Sequence, residues 1–125
     1  MICRNLTKGN VLVSRLAVAT SSEDRRRGLL GRSSLEAGEG MLLEPCMAVH
    51  TVGMKFAIDV VFLDKQRRVV AICPAVEPGV LHKGSLKARS TLELPAGAAA
   101  AKHLEVGDSL QIARADEPEA KQDKK

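Results

Sequence analysis

A polar segment, His50-Thr51-Val52-Gly53-Met54-Lys55, runs without a break into the apolar stretch Phe56 to Leu63, and Asp59 sits in the middle of that stretch. A carboxylate among Ile58, Val60 and Val61 is costly to bury unless hydrogen-bond donors reach it. Strand alternation leaves Asp59 only Ala57 and Val61 as same-face neighbours, so donors must come from other elements. His50, Thr51, Lys55 and Arg89 are the side chains able to supply them. Two outcomes stay open: a structural carboxylate bonded to backbone amides, or one held at a pocket with a perturbed pKa. The first function this suggests is a non-catalytic binding or accessory module for a small molecule or a protein. In it His50, Thr51, Met54 and Lys55 line a shallow site before the central strand, and Asp59 holds that site in shape. The alternative is a small hydrolase or transferase with His50 as base and Asp59 as its orienter or as a general acid. The two residues are nine apart, so that reading requires the His50 loop to fold back.

Other chemistry has less support. Cys46 and His50 stand four apart, within metal-ligand reach on a helix, but Pro45 and the β-branched Val49, Thr51 and Val52 oppose a helix there. Two ligands do not make a metal site, and no cofactor is expected. Cys3, Cys46 and Cys73 are odd in number and never form Cys-x-x-Cys, which argues for free thiols rather than a disulfide framework or a zinc ribbon. Met41, Met47 and Met54 suit core filling, with an adaptable binding groove as the other reading. Glu93, between Leu92 and Leu94, faces solvent or an inner polar partner, and His82 and His103 are surface residues. Arg25-Arg26-Arg27 is the only dense basic cluster, read first as a solvated helix face, with a phosphate or anionic-surface contact as the other reading. With a net charge of +4 and no Trp or Tyr to stack on bases, nucleic acid is not the expected partner, even with Arg32 and Lys102 added.

The elements that must position these residues are short. Asn10 to Ala19 is apolar on both faces for much of its length and is expected as a strand inside a sheet. Thr20-Ser21-Ser22-Glu23 matches a capping box and starts a helix that runs to Leu29 or Leu30. Residues 37–40 form a loop by composition, and Met41 to Leu43 a buried strand cut off by Pro45. Phe56 to Leu63 and Val69 to Cys73 make a hairpin around the polar turn at residues 64–67, with Pro74 and Pro78 starting an irregular connection. Thr91 to Leu94 is a further strand, Ala96 to Leu104 a second short helix, and Ser109 to Ala113 the last strand. The expected fold is therefore mostly β with two short α-helices, a compact antiparallel or mixed sandwich or barrel, in one domain over residues 1–114. Residues 115–125 are almost all charged or polar and are expected as a disordered tail.

A chain of 125 residues with 45% hydrophobic content supports one core, and with two phenylalanines as its only aromatics that core must be aliphatic. No run of about 18 apolar residues or signal-peptide pattern is present, so a soluble, cytoplasmic protein, or one that has lost an export signal, is expected.

The order of segments carries a further indication. Gly28-Leu29-Leu30-Gly31-Arg32, Gly40-Met41-Leu42, His50 to Asp64, Leu92-Glu93-Leu94-Pro95-Ala96-Gly97 and Gly107-Asp108 together resemble the prokaryotic family named domain of unknown function 192, as far as about Ala113. The resemblance implies a compact β-rich sandwich or barrel with short helices and no established activity, in a family many of whose members look exported or lipid-anchored. Gly53 and Ala57 depart from it, since members commonly carry an aromatic near Met54 and a proline at the position of Ala57.

Overall fold

The structure is a computed structural model and describes residues 1–120. In chain order its elements are β1 (Ile2–Asn5), β2 (Asn10–Val13), β3 (Arg15–Ala19), α1 (Ser22–Arg27), β4 (Glu39–Leu43), β5 (Ala48–Val49), β6 (Ile58–Leu63), β7 (Val69–Val76), β8 (Lys83–Gly84), β9 (Ser90–Pro95), α2 (Ala98–Ala101) and β10 (Leu110–Ala113). Every residue of β6 is buried, so an apolar run interrupted only by Asp59 forms a strand covered on both faces rather than an amphipathic element. Its two partners are β7, the hairpin neighbour, and β9, so β6 lies inside a five-stranded sheet ordered β3-β4-β9-β6-β7. Only the β3–β4 pairing is parallel in that sheet.

Alternation along β6 and β9 separates two apolar layers. Val61, Leu63, Leu92 and Leu94 face one side, where they meet Leu12, Val13, Cys3 and Leu110 of a second, three-stranded sheet ordered β10-β1-β2. Ile58, Val60 and Phe62 face the other, where Leu29, Ala88, Met54 and Phe56 come from the α1 turn, the loop before β6 and the segment after the β5–β8 ribbon. Burial of each large aliphatic or aromatic side chain contributes roughly 1.5–3 kcal/mol, and these two layers hold nearly all of them. The architecture is a mixed, sandwich-like fold with open sheets, and it leaves the barrel alternative without a closing strand pair.

Several local expectations need correction. The single strand expected over residues 10–19 is two strands in different sheets: the amides of Ser14 and Arg15 both donate to the Gly38 carbonyl, and the chain bends there from the small sheet into the large one. Both pieces are edge strands, not interior ones. The helix cap is Ser21, whose hydroxyl accepts from the Asp24 amide, one residue later than the capping box placed it, and α1 stops at Gly28 (φ 49°) before the two leucines. The second helix is confined to Ala98–Ala101. β7 continues through Pro74 to Val76, which a proline permits on an edge strand that has no outer partner to receive its missing N–H. Ile2–Asn5, unassigned from sequence, is the central strand of the small sheet. Beyond β10 the backbone carbonyls of Glu117 and Pro118 accept from Arg4 (2.6 Å) and Gln111 (3.2 Å). The rest of the expected tail, residues 121–125, lies outside the described residues. Among the described residues no helix is long and apolar enough to cross a membrane.

Candidate functional site

Asp59 is 1% exposed, and its donors come from the backbone. Oδ1 accepts from the amides of Ala75 (2.9 Å) and Gly97 (3.1 Å), and Oδ2 from the amide of Ala99 (2.9 Å). Ala75 reaches this position by adopting a left-handed backbone (φ 48°) at a register shift between β6 and β7, and Gly97 does the same (φ 89°) ahead of α2. One carboxylate thus fastens the edge strand and the second helix to β6, and no hydrogen bond or ion pair joins it to His50, Thr51, Lys55 or Arg89 among the described residues.

The loop before β6 divides in the same way. Thr51 is fully buried: its hydroxyl donates to the Glu77 carbonyl (2.6 Å) and accepts from the Val80 amide (2.9 Å), while its own amide donates to the Val80 carbonyl (2.8 Å). It is a staple between two loops. His50 and Lys55 are exposed, and Met54 is half-buried against the second apolar layer with Phe56. A Cβ at Gly53 would come within 3.3 Å of Leu30 Cδ2, so the loop lies directly on the turn that follows α1.

Glu93 is the residue that sequence reasoning misplaced. On the opposite face of the central sheet from Asp59, it is 4% exposed, and its neighbours across the strands are Met41 of β4 and Val60 of β6. Its carboxyl approaches the Gly28 turn, where a Cβ would stand 3.6 Å from Oε1 and 4.0 Å from Leu43 Cδ2. Thr91, the other polar side chain on this face of β9, donates to the Cys46 carbonyl at 3.2 Å. No hydrogen bond or ion pair reaches the Glu93 carboxyl among the described residues, and burial pushes its pKa from the ordinary 4.5 up to about 7. The sequence signal was there in part: if Leu92 and Leu94 fill one layer, Glu93 must enter the other, and only knowledge that both faces of β9 are covered turns that into burial.

A carboxyl poised near neutrality can exchange a proton or pair with a cation, and its surroundings of Met41, Leu43, Val60 and Leu29 favour a ligand with an apolar body. Neither His50 nor a nucleophilic side chain is hydrogen-bonded to it, so the geometry supplies a binding group without the partner that acyl transfer needs. Among the described residues no group of three or more His, Cys, Asp or Glu could hold a metal ion.

The comparisons agree with this architecture. No curated protein matches the chain. A protein of unknown function from Novosphingobium aromaticivorans DSM 12444 has a crystal structure similar to this one, with a TM-score of 0.79 and 24% identity, covering 89% of this chain and 83% of that one. A Sinorhizobium meliloti 1021 protein named as a candidate transcription regulator is similar at a TM-score of 0.79 and 19% identity, covering 88% and 91% of the two chains. At these identities the likeness establishes the fold alone. The model of the DUF192 family, described as "Uncharacterized ACR", matches residues 4–112, and the chain belongs to that family.

Proposed function

We propose that the protein is a non-catalytic binding module whose site lies under the loop preceding β6, where the segment from His50 to Phe56 closes over the apolar layer that contains the Glu93 carboxyl. The observation that carries the proposal is a carboxyl, 4% exposed and without a hydrogen-bond or ion-pair partner among the described residues, at the centre of the five-stranded sheet. Leaving such a group unpaired costs stability, and a ligand bearing a cationic or hydrogen-bond-donating head on an apolar body would supply the missing partner. Residues 50–57 make no strand pairing and carry the exposed Val52 and Gly53, so they form the segment best able to lift and admit it. In this reading Met54 contacts the ligand body, His50 and Lys55 line the rim, Thr51 anchors the loop and Asp59 holds the sheet beneath it. An enzymatic role for His50 and Asp59 is disfavoured because the Asp59 oxygens are occupied by backbone amides.

The test is a titration of isotope-labelled protein with n-hexylammonium as the probe, reading backbone amides by two-dimensional NMR. Saturable shifts over residues 50–56 that disappear in Glu93→Gln support the site. Silence there, with or without response elsewhere, removes it.

A further inference from the structure

A second site is formed by groups of which only Ala88 belongs to the apolar layer around Glu93. Ser22, Arg25 and Arg26 of α1 face the segment from Pro45 to Ala48, with Ala88 and Arg89 closing the end, around a groove of about 590 Å³. That volume is in the range of small-molecule sites. Three guanidinium groups line it and no carboxylate does. The distinction matters because many basic side chains elsewhere are neutralised: Lys8, Arg32, Arg67 and Arg68 each pair with an acid. Arg25 is spent on structure, since Nη1 donates to the Pro45 carbonyl (3.0 Å) and Nε to the Thr20 carbonyl (3.3 Å), which fixes the distance between the walls. Arg26 and Arg89 are exposed and take no side-chain hydrogen bond or ion pair among the described residues. The wall opposite α1 is apolar, with Pro45, Met47, which is 47% exposed, and Ala48. Arg-rich surface without counter-charge beside exposed hydrophobic area is unfavourable in the empty protein and complementary to one kind of ligand.

We propose that this groove binds the phosphate monoester of a small organic molecule, with Arg26 and Arg89 clamping the phosphate and the Pro45 to Ala48 wall taking the organic body. A monoester carries close to two negative charges at neutral pH and offers three acceptor oxygens, matching two guanidinium forks. A nucleic-acid strand or an anionic membrane would instead require basic charge extended well beyond the groove; Arg27 continues it by one residue, but Arg32, the arginine after that, is already bonded to Glu39 at 3.1 Å. Cys46 lines the same groove, its thiol half-buried and donating to the Ala48 carbonyl at 3.2 Å, so occupancy should shield it.

Phenyl phosphate is the probe, titrated into the labelled full chain. Saturable amide shifts at Ser22, Arg26, residues 46–48 and Arg89 are expected, with affinity falling about tenfold in Arg26→Gln and again in Arg89→Gln, as expected for loss of a charge-assisted hydrogen bond. On the unmutated protein, phenyl phosphate should also slow iodoacetamide alkylation of Cys46 while leaving Cys73 unchanged, a readout independent of how the variants fold. Absence of saturable shifts, undiminished affinity in the double variant, or unprotected Cys46 at saturation would each overturn the proposal. So would a DNA duplex or anionic vesicles moving the same amides when phenyl phosphate does not.

Discussion

Replacing Glu93 with glutamine should stabilise the protein at neutral pH and do little in acid. The carboxyl titrates near 4.5 when the chain is unfolded and near 7 when it is folded. Between those values the folded state binds more protons than the unfolded state, so this group's contribution to stability is greatest below about 4.5 and is lost as pH rises to about 7. A rise from 4.5 to about 7, at about 1.4 kcal/mol per pH unit, makes the loss on the order of 3 kcal/mol. Glutamine keeps the shape, cannot ionise, and still leaves polar atoms unpaired, so it should be neutral or slightly destabilising at pH 4.5. Urea unfolding of both proteins at pH 4.5 and pH 8, with midpoints and slopes compared, measures the difference directly. The stability gained by Glu93→Gln should grow by on the order of 3 kcal/mol between the two conditions. Other carboxylates that titrate in this range cancel because they are common to both proteins. A gain that is the same at both pH values would refute the reasoning, since it would mean that Glu93 ionises in the fold as freely as in water.

Three further outcomes follow from named contacts. Asp59→Ala strips three backbone amides of their acceptor and should cost about 3 kcal/mol or more, with Asp59→Asn, which keeps one carbonyl oxygen, less harmful; urea unfolding ranks them. Gly40→Ala would bring a Cβ within 3.1 Å of both Val13 methyls and 3.3 Å of the Glu93 carbonyl, so a loss of roughly 1–3 kcal/mol is expected in the same assay, and an unchanged midpoint would show that β4 can shift. Burial pushes the Cys3 thiol up to about 12, so mass spectrometry after brief iodoacetamide treatment at pH 8 should find Cys46 and Cys73 modified and Cys3 intact.

The hairpin of β6 and β7, the Met41 to Leu43 strand, the strand containing Leu92 and Leu94, the short first helix and the β-rich class were legible because each depends on local pattern: an apolar run, a polar turn or a hydroxyl before a charged turn. The split at Ser14 was not, because the residue that breaks the strand is bonded to Gly38, 24 positions away. The same limit applies to β1, whose burial comes from pairing with β10 at the far end of the described chain. The sequence left two readings open for Asp59, and the structure selects backbone amides because the left-handed turn at Ala75 aims an N–H at it. Glu93 was read as solvent-facing or paired, and it is neither. A lone glutamate between leucines gives no local sign that the second face of its strand is covered by the turn at Gly28 and the segment at Cys46.

The most direct test of the account is the carboxyl carbon-13 shift of Glu93 followed against pH in the free protein and again with saturating n-hexylammonium. The account predicts a midpoint near 7 in the free protein, falling towards the ordinary glutamate value when the cation is present, with the amides of residues 50–56 shifting alongside. A free-protein midpoint near 4.5 would contradict it, because Glu93 would then be a solvated surface acid and the loop before β6 would cover nothing that needs a ligand.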